Sequence, residues 1–401
     1  MNVERLRKDF PILESERYPN GLIYFDNACM TLRPKPVIDK IMEYYTEYSG
    51  CGGRSLHKIA GFVTDEFERS REIISDFINA WDVNNVIYTK NTTEAINLVS
   101  RCFPFGKGDR VIGTDHEHNS NLVPWVHLHQ MGKIRYEPVP SLPDNEFDLE
   151  KYREKVKGAA LVSMVHVSNL DGSRIPEKEI IEIAHDEGAV VLLDCAQSIP
   201  HIPVDMQEWD VDLIAFSGHK ACGPTGTGVL AGKPEVISEF EPFLIGGDTV
   251  SESTYTSVDF LEVPKRFEAG LQHYAGFIGL GEALTYLKSV GLDEIHSHEV
   301  ELNSFATELL KDKVRILGPR DPKDRGGIFP FQIEGFNSHD IAMMLDELAD
   351  IAIRSGRHCV HSWFNGKGET STARASFYLY NTKDEIRKMS DTLDDIIRDF
   401  S

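Results

Sequence analysis

Between residues 86 and 217 the chain alternates short, almost wholly apolar runs with longer segments whose apolar positions recur every three or four residues. Val86-Ile-Tyr-Thr89, Arg110-Val-Ile-Gly-Thr114, Leu161 to Val167, Ala189 to Leu193 and Leu213-Ile-Ala-Phe216 are too short for helices and read as buried strands. Between them, Asn91-Thr-Thr-Glu94 reads as a turn and cap before a helix over Ala95 to Cys102, and a further helix is opened by Pro176 and closed by Gly188. Upstream, Leu22 to Phe25 is a small strand entering the polar loop Asp26 to Cys29. Thr64 to Asn79 reads as a helix capped by Thr64, with Phe67, Ile74, Phe77 and Ile78 on one face. This alternation predicts an α/β fold, a mainly parallel sheet covered by helices on both faces.

After about residue 290 the texture changes. Amphipathic stretches at Glu299 to Lys311 and His339 to Ala349 surround a Gly-rich apolar strand at 326–332, which predicts a smaller α+β domain. The last helix carries a capping box, Thr382 with Glu385, and an apolar stripe from Ile386 through Met389, Leu393 and Ile396 to Phe400. Residues 1–20 read as a short helix and loop closed by Tyr18-Pro-Asn-Gly21. The expected division is a segment 1–20 packed on the small domain, a large domain 21–289 and a small domain 290–401.

Ligands of such sheets sit beyond the carboxyl ends of the strands, where this chain concentrates its unusual polar residues: Thr92-Thr93, Glu117-His118, Asn169, Asp194 to Gln197, and Ser217 to Lys220. Taken singly, each has an ordinary reading as a cap, a turn-former or a surface group. Taken together they describe a site for pyridoxal phosphate. Lys220, at a strand end before the turn at Gly223, Gly226 and Gly228, can condense with an aldehyde. Asp194, costly after an apolar run, can face a protonated ring nitrogen. His118 can stack on the ring, Asn169 and Gln197 can reach its oxygen, and the hydroxyls beside a helix start can hold a phosphate.

Charge narrows the partners. Among 401 residues, 42 are basic and 64 acidic, a formal charge of -22 that repels nucleic acid and anionic membrane surfaces. The six cysteines show no CxxC pair, so neither a structural metal site nor a disulfide framework is expected. The opening Met-Asn-Val-Glu-Arg-Leu-Arg lacks an apolar core and no run approaches spanning length, so the expectation is a cytoplasmic protein. Cys359 differs from an ordinary core cysteine, because Gly356, Arg357 and His358 precede it in a polar stretch; this predicts a mobile thiol beside positive charge.

These motifs, in this order, resemble the class V aminotransferase fold group and, within it, the group II cysteine desulfurases and selenocysteine lyases. The resemblance runs from Asp9-Phe-Pro-Ile12 and Phe25-Asp-Asn-Ala28 through Thr92 to Leu98, Glu117-His118 with Asn121 to Trp125, and His166 to Asn169. It continues through Asp194-Cys-Ala-Gln197, Ser217-Gly-His-Lys220, Arg266 to Gly270 and Arg354 to Cys359, and ends at Arg374-Ala-Ser376 with Tyr380-Asn-Thr382. It implies fold type I of the pyridoxal phosphate-dependent enzymes, with a mainly parallel seven-stranded sheet, and a likeness in activity to desulfurases that turn L-cysteine into L-alanine. Lys220 would then hold the cofactor and move protons, His118 would stack on the ring, and Cys359 would be the sulfur-accepting nucleophile. Asp194, Ala196, Gln197 and Asn169 would surround the ring. Thr92, Thr93, Ser217 and His219 would bind phosphate, and Arg374, with Asn169 and Ala28, would bind substrate. The resemblance further implies a homodimer and a sulfur-acceptor protein, in the service of iron–sulfur cluster or other sulfur biosynthesis.

Two departures from the group stand out. Where relatives place a Gly-Thr-Pro-Asn-Thr-like run that lends a phosphate contact across the dimer, this chain has Gly270-Leu-Gln-His-Tyr274, with Gln272 and His273 as candidate replacements. Cys29 also stands where relatives usually have a small residue, and the short spacing from Cys359 to Arg374 predicts no long catalytic loop. Other activities remain open at the level of sequence: a selenocysteine lyase, an aminotransferase or epimerase using Lys220 without Cys359, and a non-catalytic scaffold for a sulfur-transfer partner.

Overall fold

The short apolar runs assemble side by side in the computed structural model, which describes residues 1–18 and 21–400. Seven strands form one sheet in the spatial order Val86–Thr89, Gly228–Gly232, Leu213–Ser217, Val190–Asp194, Leu161–Val165, Arg110–Thr114, Arg135–Val139. All run parallel except Gly228–Gly232, which is antiparallel to both of its neighbours. Every position of the three strands Leu161–Val165, Leu213–Ser217 and Gly228–Gly232 is buried, because helices cover both faces. One face packs against Phe67, Ile74, Phe277 and Leu284, the other against Ile96, Val99, Trp125 and Leu128.

A second, antiparallel sheet orders Arg315–Ile316, Ile328–Gln332, Thr372–Ser376 and Arg354–Gly356. Its core holds Phe25, Leu302, Phe329, Phe331, Leu345, Ile386 and Leu393. The final helix, Lys383–Phe400, starts at the expected capping box: Glu385 donates its N–H to Thr382 Oγ1 at 3.2 Å and receives the Thr382 N–H on Oε2 at 2.9 Å. The N-terminal segment touches both regions, with Arg7 on Glu385 at 2.7 Å and the Phe10 ring against Tyr286 and Tyr380. The turn expected at Tyr18 to Gly21 includes Pro19 and Asn20, which lie outside the described residues.

Several boundaries move. The helix read from Thr64 runs Lys58–Phe77 and is capped by His57; Thr64 lies inside it, its hydroxyl turned back to the Ala60 carbonyl at 2.7 Å. The helix read from Ala95 is Thr92–Cys102, capped by Asn91, so Thr92 and Thr93 are its first turn. The segment read from Glu299 belongs to a helix Leu292–Leu310, and the strand read to Val167 stops at Val165. The largest correction concerns the glycine run after Lys220, read as turn alone: Gly228 opens a buried strand. A β-carbon there would come within 2.4 Å of the Asn91 backbone, so glycine is what allows this strand to pass the helix cap.

The Arg266 to Gly270 motif acts structurally. Glu268 accepts from Arg71 through both oxygens at 2.8 and 3.0 Å and from the Tyr88 N–H at 2.8 Å, tying the long helix to the edge strand. Burial alone would lower the Arg71 pKa, but the Glu268 carboxylate beside it outweighs that and raises it. Both side chains are at most 5% exposed. Glu268→Gln removes the buried counterion of Arg71 and leaves it only the half-exposed Glu68 at 3.0 Å, and the expected loss is about 3 kcal/mol of stability, read from urea unfolding. A loss below about 1 kcal/mol, the scale of a surface pair, would contradict this role.

Candidate active site

At the carboxyl ends of the parallel strands, where they meet the Arg354–Gly356 and Thr372–Ser376 strands, lies a cavity of about 250 Å³. Its wall brings together Ala28, Thr92, Thr93, His118, Asn169, Asp194, Ala196, Gln197, Ser217, His219, Lys220, Cys359 and Arg374. Residues separated by hundreds of positions meet because the loop after Phe25 is laced to the second sheet. Ser376 donates its N–H to the Phe25 carbonyl at 2.6 Å, and the Ala28 N–H reaches Ser376 Oγ at 2.9 Å. The Ala28 carbonyl in turn accepts from Gln197 Nε2 at 2.7 Å.

Lys220 is partly buried at the cavity wall, and its amine is held below the usual lysine range by desolvation, with Asp194 pulling the other way and Arg374 adding to the depression. Asp194 ends its strand 3% exposed and accepts the Ala196 N–H at 3.0 Å. Burial raises its pKa, and Lys220 offsets part of that rise. An acid and an amine so placed make a polarised, water-poor site. At the first turn of the Thr92–Cys102 helix, Ser217 Oγ receives the Thr92 N–H at 2.8 Å and lies 2.6 Å from its hydroxyl, while the Thr93 and Ser120 hydroxyls stand 2.7 Å apart. The positive end of a helix beside a row of hydroxyls suits an anion. His219 joins them as a neutral imidazole, pushed down to about 4 by burial, Lys220 and Arg33.

His118 caps the Asn119–Gln130 helix by accepting the Ser120 N–H on Nδ1 at 3.1 Å, which leaves the proton on Nε2. Burial, followed by Lys220 and Arg374, lowers its pKa from 6.5 to about 3. The unfolded imidazole takes its proton near 6.5 and the folded one near 3, so the unfolded chain binds the extra proton between those values. This residue's contribution to stability therefore falls as pH drops from 6.5 towards 3. His118→Asn should flatten that part of the pH dependence, measured as urea midpoints at about pH 7 and about pH 5. An unchanged or steeper slope would contradict the neutral imidazole.

Cys359 sits in a tight turn with positive φ at both His358 (47°) and itself (60°). The turn is fastened by its backbone: the Asn119 N–H reaches the Cys359 carbonyl at 2.7 Å and Asn169 Nδ2 reaches the His358 carbonyl at 2.7 Å. The helix His361–Lys367 follows directly, so the expected absence of a long loop holds. The expected source of positive charge does not. Arg357 turns away to the Thr370 carbonyl and Asn365, and His358 is buried against Thr372 Oγ1, with burial taking its pKa well below the usual value. The cations that share the cavity with Cys359 are Lys220, Arg354 and Arg374.

Arg354, in the motif leading to Cys359, is a site residue that the sequence pattern does not single out. The signal was present as a cation two residues before a glycine in an exposed-looking stretch, but its partner, Arg374, is 20 positions away across a strand pair. Arg374 is 1% exposed and held by the Asn169 carbonyl at 2.6 Å and Asp26 at 3.4 Å. Gln272, a candidate for a phosphate contact across a dimer, donates Nε2 to the carbonyls of its own loop at Glu268, Ala269 and Gly270.

Among the described residues, four buried polar atoms in this wall have no partner: Asn169 Oδ1, Gln197 Oε1, His358 Nδ1 and Arg374 Nε. Unpaired groups of this kind are costly unless a ligand meets them, and their mixture of acceptors and a cationic donor, with Asp194 and the helix start, fits pyridoxal phosphate and an amino acid. Among the described residues no three His, Cys, Asp or Glu side chains gather as a metal site, and no helix is long and apolar enough to cross a membrane.

A mainly parallel sheet with a lysine after one strand end and an aspartate at the end of the next, both lining one cavity, defines an aminotransferase-like α/β protein. The chain matches the family described as aminotransferase class-V over residues 23–389, and it belongs to that family. Its similarity reaches further than the family. A probable cysteine desulfurase of Halalkalibacterium halodurans is 39% identical, with 98% of each chain covered. One of Synechocystis is 40% identical over 99% of this chain and 96% of its own. The apo structure of a cysteine desulfurase from Thermococcus onnurineus superposes with a TM-score of 0.94 at 37% identity, covering 99% of this chain and 98% of that one.

Proposed function

We propose that this chain is a pyridoxal phosphate-dependent cysteine desulfurase that converts L-cysteine to L-alanine and keeps the sulfur as a persulfide on Cys359. The observation that carries this reading is the meeting, in one cavity, of the Lys220 amine, the Cys359 thiol and the buried Arg374 guanidinium. When bound, pyridoxal phosphate supplies an aldehyde that condenses with amines and a ring that draws electrons from the substrate's Cα. Lys220 Nζ is the attachment point, Asp194 the counterion of the ring nitrogen, and Thr93, Ser217 and His219 the phosphate cup, with Thr92 fixing Ser217. His118 would cover the ring face, with Ala196 beside it, and Asn169 and Gln197 would address the ring oxygen.

Arg374 orients the substrate carboxylate beside Ala28. Lys220, its amine made less basic by desolvation, takes the proton from Cα and returns one at Cβ. Cys359 Sγ attacks the substrate sulfur; the new S–S bond forms as the Cβ–S bond breaks, and Cβ leaves with the bonding pair to be protonated as alanine. A protein thiol then collects the sulfur. Exposed Met42, Tyr45, Ile59 and Phe62 on neighbouring helices support a homodimer. In this reading residues 21–289 hold the cofactor and 290–401 form the small domain that carries Cys359.

Product analysis tests the reading. Holoenzyme with L-cysteine and a thiol reductant should yield alanine and sulfide in equal amounts. Pyruvate, another keto acid or D-cysteine in place of alanine would overturn it.

A further inference from the structure

The catalytic cavity is lined by two free thiols, Cys359 and Cys29. The remaining cysteines differ: Cys102, Cys195 and Cys222 are buried, with burial pushing the Cys102 and Cys222 thiols up to about 12, and Cys51 lies outside the cavity. Cys29 is held in place by its own backbone, its N–H on the Asp26 carbonyl at 3.1 Å, and by its neighbour Ala28, fixed to Ser376 and Gln197. Arg354 Nη1 donates to Cys29 Sγ at 2.7 Å, so a guanidinium stands where negative charge on that sulfur would be neutralised. The same Arg354 begins the short strand that leads into the Cys359 turn. Lys220 lines the same cavity as both sulfurs. The unpartnered Arg374 Nε and Asn169 Oδ1, both nine-tenths or more buried, line the space the two thiols share.

We propose that Cys29 is a second sulfur carrier, taking the terminal sulfur of the Cys359 persulfide. The inference rests on the desulfurase reading above. A persulfide lengthens the Cys359 side chain by one S–S bond, about 2 Å, into the shared cavity. The Cys29 thiolate attacks the terminal sulfur. A bond forms between Cys29 Sγ and that sulfur, the bond to Cys359 Sγ breaks, and Cys359 leaves as thiolate with the electron pair. The proton lost by Cys29 balances the one Cys359 regains, and no outside oxidant or reductant enters. Cys359 is then free to accept a second sulfur before any acceptor arrives, so each chain stores two.

The test is a burst experiment on holoenzyme with excess L-cysteine and no reductant, followed by alkylation and peptide mapping. About two alanines per chain are expected, with a persulfide on both Cys29 and Cys359. Cys29→Ser and Cys29→Ala should each give about one, carried on Cys359 alone, and Cys359→Ser should leave Cys29 unloaded. A wild-type burst of one with Cys29 unmodified would overturn the proposal, as would a second sulfur found on Cys359 as a trisulfide, or Cys29 loaded in Cys359→Ser. The wild-type peptide map decides without reliance on any variant's folding. Absence of alanine altogether would sink the desulfurase reading and this inference with it, a result distinct from a burst of one.

Discussion

Cys359→Ser will lower alanine formation from L-cysteine by about a thousandfold or more while the protein keeps its cofactor. The size of the effect follows from what the step requires. A sulfur nucleophile is needed to form an S–S bond with the substrate, and a serine hydroxyl stays protonated and nucleophilically weak at neutral pH. Nothing else should change. The turn is held by backbone groups, the Cys359 carbonyl on Asn119 and the His358 carbonyl on Asn169, so the substitution leaves these bonds in place. The measurement is steady-state alanine production beside the visible absorbance of the bound cofactor. Loss of both together would mean that the thiol supports structure instead of chemistry.

Lys220→Ala is expected to be as severe, by a different route. It removes the covalent attachment point and the proton carrier in one change, so turnover should again fall by about a thousandfold or more. Borohydride should then fail to fix the cofactor to the chain, whereas it does so in Cys359→Ser. Lys220 is also the cation that offsets the rise in the Asp194 pKa, so its removal leaves that carboxyl protonated to higher pH and weakens the grip on the ring nitrogen. Gel filtration of the variant with pyridoxal phosphate should show the cofactor leaving more readily. Trapping equal to wild type would place the attachment on another residue.

Much of the site was legible because its residues stand at strand ends, where apolar runs stop abruptly at charged or amide side chains. Asp194 and Lys220 are conspicuous for that reason, and the capping box at Thr382 and Glu385 is a local code that needs no tertiary information. What was missed depends on contacts between distant segments. The strand Gly228–Gly232 looks like a loop in sequence because its first glycine answers to the Asn91 backbone, 137 positions earlier, and not to a local turn. Arg357 and His358 flank Cys359 in sequence, yet the turn's left-handed backbone sends them elsewhere, and the cations that do share the cavity arrive from a strand end and a neighbouring strand. The Arg354 contact with Cys29 joins residues 325 positions apart, which no local pattern encodes.

The central claim is that sulfur from L-cysteine comes to rest on Cys359. The most direct measurement is the mass of the Cys359-containing peptide after brief exposure of the holoenzyme to L-cysteine without reductant. The account predicts a peptide heavier by at least one sulfur atom that returns to its original mass on reduction, with alanine released alongside. Alanine released while that peptide stays unmodified would contradict it.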